Sequence, residues 1–207
     1  MPVCTDVSPL RIAVSFGACT PRLSALLALQ RAEEPQTPIR LHEVELGEQL
    51  HGLAYGRYHG GLALTDAPTS ALRAEVLWHD QLALAMPAYS PLRAYNSVPL
   101  EVAVRHPIIR WQTPACEPIS TLVDSLVQRQ QTIGFRVQSY ELMAVLIRAG
   151  YGFGIGLQSH IVRLCAPHIV SRPLSGCPQA LTTYLLQPGG DAAPALDRLA
   201  RRGREQF

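Results

Sequence analysis

Along residues 10–65 the apolar positions change period several times. Ile12 and Val14 alternate with smaller residues over 10–16, as a half-buried strand requires. Leu23, Leu26 and Leu27, with Gln30, then recur at helical spacing. Thr20 and Pro21 precede them, a hydroxyl at the N-cap and a proline in the first turn, and Pro35 stops the run. A strand over 39–45, a short helix over 49–55 and a strand over 60–65 follow. This β-α-β-α-β order predicts parallel strands joined by right-handed crossovers.

The next stretch reads differently. Residues 72–78 and 81–86 form two consecutive strand patterns that end at Pro87, and 106–111 forms another. Pro118 opens a helix through residue 130, carrying Ile119, Leu122, Val123 and Leu126. Residues 134–138 are extended. Ser139 can then cap a helix in which Leu142, Val145, Leu146 and Ala149 recur at helical spacing. Glu141 sits at its positive dipole end, and Gly150 stops it. The Gly-alternating run 151–157 suits a strand in a close-packed sheet. Late strands over 169–173 and 181–186 precede a final helix. Asp191 is its expected cap, with Leu196 and Leu199 inward and Arg198, Arg201, Arg202 and Arg204 outward. The predicted fold class is α/β, with two α/β units joined by strands and no long linker. Open α/β sheets place ligands outside the carboxyl ends of their strands.

Composition narrows the function. With 47% apolar and 16% charged residues over 207 positions, the chain can fill a packed core. A net charge of +2 gives no electrostatic case for nucleic-acid binding by this chain, although all 18 basic residues are Arg. No apolar run reaches the roughly 18 residues of a membrane span, and the N-terminus lacks a secretory pattern. Five Cys without a Cys-x-x-Cys pair fit a reduced, cytoplasmic protein. The seven His show no His-x-x-x-His spacing, so no metal is expected. No Gly-x-Ser-x-Gly elbow or phosphate loop occurs. The run from Gly150 to Gly156 has the wrong spacing and context for a dinucleotide. No catalytic residue and no cofactor are therefore expected.

The order of several segments resembles the effector-binding domain of LysR-type transcriptional regulators. These are Leu10-Arg11-Ile12-Ala13-Val14-Ser15, the stretch from Leu50 to Leu64, Asp80 through Leu92, His106-Pro107-Ile108-Ile109, and Ser139 through Leu157. Gly61 stands where that family often has Asp, and Ser90 where it has His. The resemblance implies a type 2 periplasmic-binding-protein-like fold of two Rossmann-like lobes joined by two crossing strands near Met86 and Leu181. Lobe I would comprise 1–86 plus 181–207, and lobe II 87–180. The family's N-terminal winged helix-turn-helix is absent from this chain, so any DNA contact is expected through that missing part.

The resemblance further implies a sensor. A small organic effector, a carboxylate among the candidates, would bind in the inter-lobe cleft and modulate DNA binding and transcription. Expected ligand contacts are Ser15, Phe16 and Thr20 after the first strand, and Thr65 and Asp66 after the third. In lobe II they are Arg110, Trp111, Gln112 and Thr113, then Gln138, Ser139 and Gly154. Phe16 and Trp111 have core alternatives, and Thr20 and Ser139 cap helices whatever else they do. Cys19 and Cys116 fall in the two cleft-facing loops, where a redox pair competes with a packing role. The resemblance also implies a homodimer, or a tetramer in the full-length regulator, with the helix around residues 23–31 against the partner's helix around 121–130. Two other readings stay open: a solute-binding protein of a transporter, and a small two-lobed α/β enzyme.

Overall fold

A computed structural model describes residues 8–66, 71–112, 118–127, 134–164, 167–177, 181–190 and 193–206. Along the chain these form β1 (Leu10–Val14), α1 (Pro21–Glu33), β2 (Ile39–Glu43), α2 (Leu46–Ala54), β3 (Gly60–Ala63) and β4 (Leu72–Asp80). Then come β5 (Leu82–Pro87), a 3-10 turn (Pro91–Ala94), β6 (Val98–Pro99), α3 (Leu100–Ala103), β7 (Ile108–Trp111) and α4 (Ile119–Val127). The remainder is β8 (Arg136–Val137), α5 (Tyr140–Arg148), β9 (Phe153–Leu157), α6 (Gln158–Leu164), β10 (Ile169–Ser175), β11 (Leu181–Pro188) and α7 (Pro194–Gln206). Two compact units emerge, Met1–Trp78 with Thr182–Phe207, and His79–Leu181. The first division precedes the expected crossing at Met86. The reason is pairing: Leu82–Ala85 run antiparallel to Leu157–Gly154, so all of β5 belongs to the second unit's sheet. Strands β4 and β11 carry the chain across the two divisions.

The first unit holds a five-stranded sheet of order β2-β1-β3-β11-β4. Strand β1 is parallel to both β2 and β3, as the alternating strand and helix patterns predict, and β11 is antiparallel to β3. Leu10, Ile12 and Val14 pack with Leu23 and Leu26 of α1 and with Leu196 and Leu199 of α7. Ala13 faces the opposite layer with Leu53 of α2. The strand's period of two thus feeds two cores, one on each face of the sheet. Gly61 has a mechanical reason. A Cβ there would collide with Nε2 of Gln49, a fully buried side chain that reaches from α2 toward the Ala13 carbonyl at 3.4 Å.

Helix α7 differs from its expected pattern. Leu196 and Leu199 are inward, but so is Arg202, at 6% exposure. Its guanidinium donates to Glu33, Glu34 and Gln30 of the α1 region, each at 2.5 Å. Arg198 adds a two-pronged pair with Glu34 at 2.6 and 2.9 Å. A cation pointing at the core was excluded by polarity alone; the acids that receive it lie far away in the chain. Glu34 is held down to about 2, first by the Arg198 hydrogen bond against the opposing effect of burial, then by Arg202.

The second unit holds a six-stranded sheet of order β6-β10-β5-β9-β7-β8. Strands β7, β8 and β9 are parallel, while β5 is antiparallel to β9 and β10. Helix α5 begins where expected, with Ser139 Oγ accepting from the Leu142 N–H at 3.2 Å. Its buried face is Tyr140, Met143, Ala144 and Ile147. Leu142 and Val145, part of the expected apolar stripe, are 47% and 55% exposed. The sheet fixes this choice, because Met143 and Ile147 fill the space above Gly154.

Candidate functional site

In the first unit, parallel pairing of β1 with β3 sets two loops side by side at the strands' carboxyl edge. Ser15, 5% exposed, donates both its N–H (2.9 Å) and its hydroxyl (3.1 Å) to the Leu62 carbonyl of β3. That fastens the loop and leaves the hydroxyl oxygen as an acceptor. Phe16 is half-buried, and Gly17 takes a left-handed φ of +83° that turns the chain toward α1. Thr20 caps α1, accepting from the Leu23 N–H at 3.4 Å. Thr65 and Asp66 follow β3, half-buried and exposed respectively. The five expected contacts of this unit thus share one edge.

The second unit repeats the scheme. Strands β7 and β8 are parallel, so Gln112, Gln138 and Ser139 follow neighbouring strand ends. The Gln112 N–H donates to the Val137 carbonyl at 2.8 Å, which ties the two ends together. Gln112 and Gln138 are exposed. Thr113 and Cys116, like Asp191, lie outside the described residues.

Three expected contacts are engaged within the second unit. Trp111 is fully buried, and its indole N–H donates to the Ile155 carbonyl at 2.8 Å, so its ring belongs to the core. Arg110 is ion-paired with Asp124 of α4 at 3.3 Å, a pair Arg136 also approaches at 3.9 Å. That places its charge in the seam between α4 and the sheet. Gly154 admits no side chain without displacing α5 side chains, because a Cβ would collide with the Met143 sulfur. Its smallness makes room for Met143 and Ile147 of α5.

Tyr140 and His160 are not among the expected contacts. Their rings stack at 4.6 Å with planes 4° apart, and Tyr140 meets Trp111 edge-on at 4.6 Å. This aromatic row underlies the start of α5. Tyr140 directly after a cap was a visible cue. His160 had none, because α6 itself was not foreseen. Its Ser159 N–H is received by Asp80 at 3.4 Å, 79 positions earlier.

Helix N-termini expose free N–H groups and a positive dipole end. A hydroxyl cap and neighbouring amides at the carboxyl edge of parallel strands therefore suit an anionic or polar small molecule. Among the described residues no group of three or more His, Cys, Asp or Glu could hold a metal. Elsewhere in the first unit a groove of about 400 Å³ is lined by Leu27, Gln30, Arg31, Pro38, Ile39 and Leu41. None of the expected ligand contacts lines it.

Comparison with known proteins gives a consistent result. The family model described as the LysR substrate binding domain matches residues 6–207. The fold is similar to that of the BenM effector binding domain solved with its effector benzoate: TM-score 0.85, 19% identity, covering 96% of this chain and 91% of that one. Full-length BenM gives 0.85 and 19%, with 97% and 67% covered. Full-length CbnR in complex with its target DNA gives 0.84 and 17%, with 97% and 71% covered. At these identities the likeness is one of fold. No match was found among curated protein sequences.

Proposed function

Because the chain belongs to the LysR substrate binding domain family, we propose that it senses a small organic acid and passes its occupancy to transcription. One observation carries this reading. In each unit a helix starts under a hydroxyl cap at the carboxyl edge of parallel strands, Thr20 on α1 and Ser139 on α5. These groups bind and orient; no proton-transfer pair or metal is needed for recognition. BenM takes benzoate, and an aromatic or aliphatic carboxylate is the class this chemistry favours here. The ligand changes the balance between two states only by its differential affinity for them. CbnR engages DNA as a full-length protein, and this chain supplies the sensing part of such a regulator. We read it as cytoplasmic; among the described residues no helix is long and apolar enough to cross a membrane.

A homodimer is part of the proposal. The outer side of α1, where Leu27 and Arg31 border the 400 Å³ groove, offers an apolar seat with a cationic rim for the partner's α4.

The test is a thermal-shift and calorimetric screen, beginning with benzoate and extending to aliphatic acids and amino acids. A true ligand at one hundred times its Kd stabilises the chain by about 2.7 kcal/mol. Thr20→Ala or Ser139→Ala weakens the hit, whereas Ser139→Asn, which keeps a cap, preserves the fold. A hit whose affinity neither Ala variant changes overturns the assignment.

A further inference from the structure

Helix α5 has an outward stripe that no neighbour covers among the described residues. Glu141, Leu142, Val145, Arg148 and Ala149 are all exposed. At about 100° per residue they fall within one face centred on Val145. The acid lies at one end and the base at the other, with apolar residues between. Beyond Gly150, which takes φ +79°, the chain presents Tyr151 at 57% exposure. Tyr89, 76% exposed, has its hydroxyl 2.8 Å from where a Cβ on Gly150 would sit. Two exposed tyrosines thus flank the stripe's carboxyl end, a residue type enriched in interface cores.

We propose that this stripe is a self-association surface whose occupant is α5 of a second copy, antiparallel about a two-fold axis at Val145. The charge pattern selects this partner. A dyad through Val145 reverses the axial order and keeps the lateral side of each residue. Glu141 lies four residues before Val145 and Arg148 three after, on the same lateral side. Each Glu141 therefore faces the other copy's Arg148, offset by only about 1.5 Å along the axis. Leu142 meets Ala149 of the second copy on the other side, and Val145 meets itself. The interface is isologous, so both ion pairs form together. This goes beyond the proposed sensing role and uses a face other than the α1 groove.

The test uses the 207-residue chain in a Cys19→Ser background. Val145→Cys, placed on the axis, forms a disulfide-linked dimer under mild oxidation, while Tyr55→Cys, an exposed position in the other unit, does not. Adding Glu141→Arg sets Arg against Arg in both pairs, and adding Arg148→Glu sets Glu against Glu. Each lowers the yield roughly tenfold. Mixing the two single-reversal proteins restores it, because the mixed dimer again has two opposite-charge pairs. A misfolded variant would not be rescued by mixing. Absence of the Val145→Cys dimer, or a yield indifferent to charge reversal and mixing, overturns the proposal. Ligand-induced thermal shifts report on sensing separately and stay in place either way.

Discussion

Replacing Glu34 by Gln removes the negative charge that Arg198 and Arg202 of α7 share. The wild-type carboxyl is held at about 2 against an ordinary 4.5, a gap worth about 3 kcal/mol if fully expressed. Solvent reaches this pair, since the Arg198 side chain is 41% exposed, so screening reduces the contribution to about 1–2 kcal/mol. The substitution also leaves Arg202, with a side chain 7% exposed, with the half-open carboxylate of Glu33 and the neutral Gln30 amide as its remaining partners among the described residues. Halving the negative charge around a buried cation adds to the loss, and about 2–3 kcal/mol in total is expected at pH 7. Acid narrows the difference. Because the folded pKa lies below the unfolded one, the stabilisation is complete above about pH 4.5 and disappears as pH falls through about 2. Urea unfolding followed by Trp78 fluorescence, in a Trp111→Phe background so that only the first unit reports, measures both effects. The stability gap between the Glu34→Gln variant and its parent narrows steadily with acid, down to the lowest pH at which both still unfold cooperatively. A gap that stays constant, or no destabilisation at neutral pH, refutes the ion cluster as the clamp between α1 and α7.

Two further outcomes are specific. Gly61→Ala drives a methyl into the Gln49 amide and costs about 1–3 kcal/mol. Gln49→Ala opens that space, so a double-mutant cycle by urea unfolding gives strong coupling, and additive losses contradict the interlock. His59, whose Nδ1 accepts the Arg11 N–H at 3.0 Å, has its pKa lowered by burial and then by the Arg11 charge. Its neutral form therefore supports the fold above about pH 6.5, and that support fades as the pH falls below this value. His59→Asn flattens this limb of the stability profile, and an unchanged slope argues against it.

How much of this was legible in the sequence depended on whether the deciding partner was near in the chain. Thr20 and Ser139 were readable because a cap hydroxyl and the N–H that donates to it are three residues apart. The parallel β1, β2 and β3 were readable from alternating periods. The inward face of α5 was not. The run from Tyr140 to Ala149 is apolar on both sides, so only the sheet chooses Met143 and Ile147 over Leu142 and Val145. Arg202 has its acids on α1, and α6 is capped by Asp80 from β4. The candidate site was read in part for the same reason. Loop positions at strand ends follow from topology, whereas the engagements of Arg110 with Asp124 and of Trp111 with the Ile155 carbonyl need coordinates.

The first unit's sheet inserts β11 between β3 and β4, and this imposes an order on biosynthesis. A ribosome delivers the whole second unit as an uninterrupted stretch, able to fold as it emerges. The earlier strands must wait, with β3 and β4 lacking their middle neighbour, until β11 has left the exit tunnel. Premature termination within the final helix would therefore injure the portion made first and spare the portion made second.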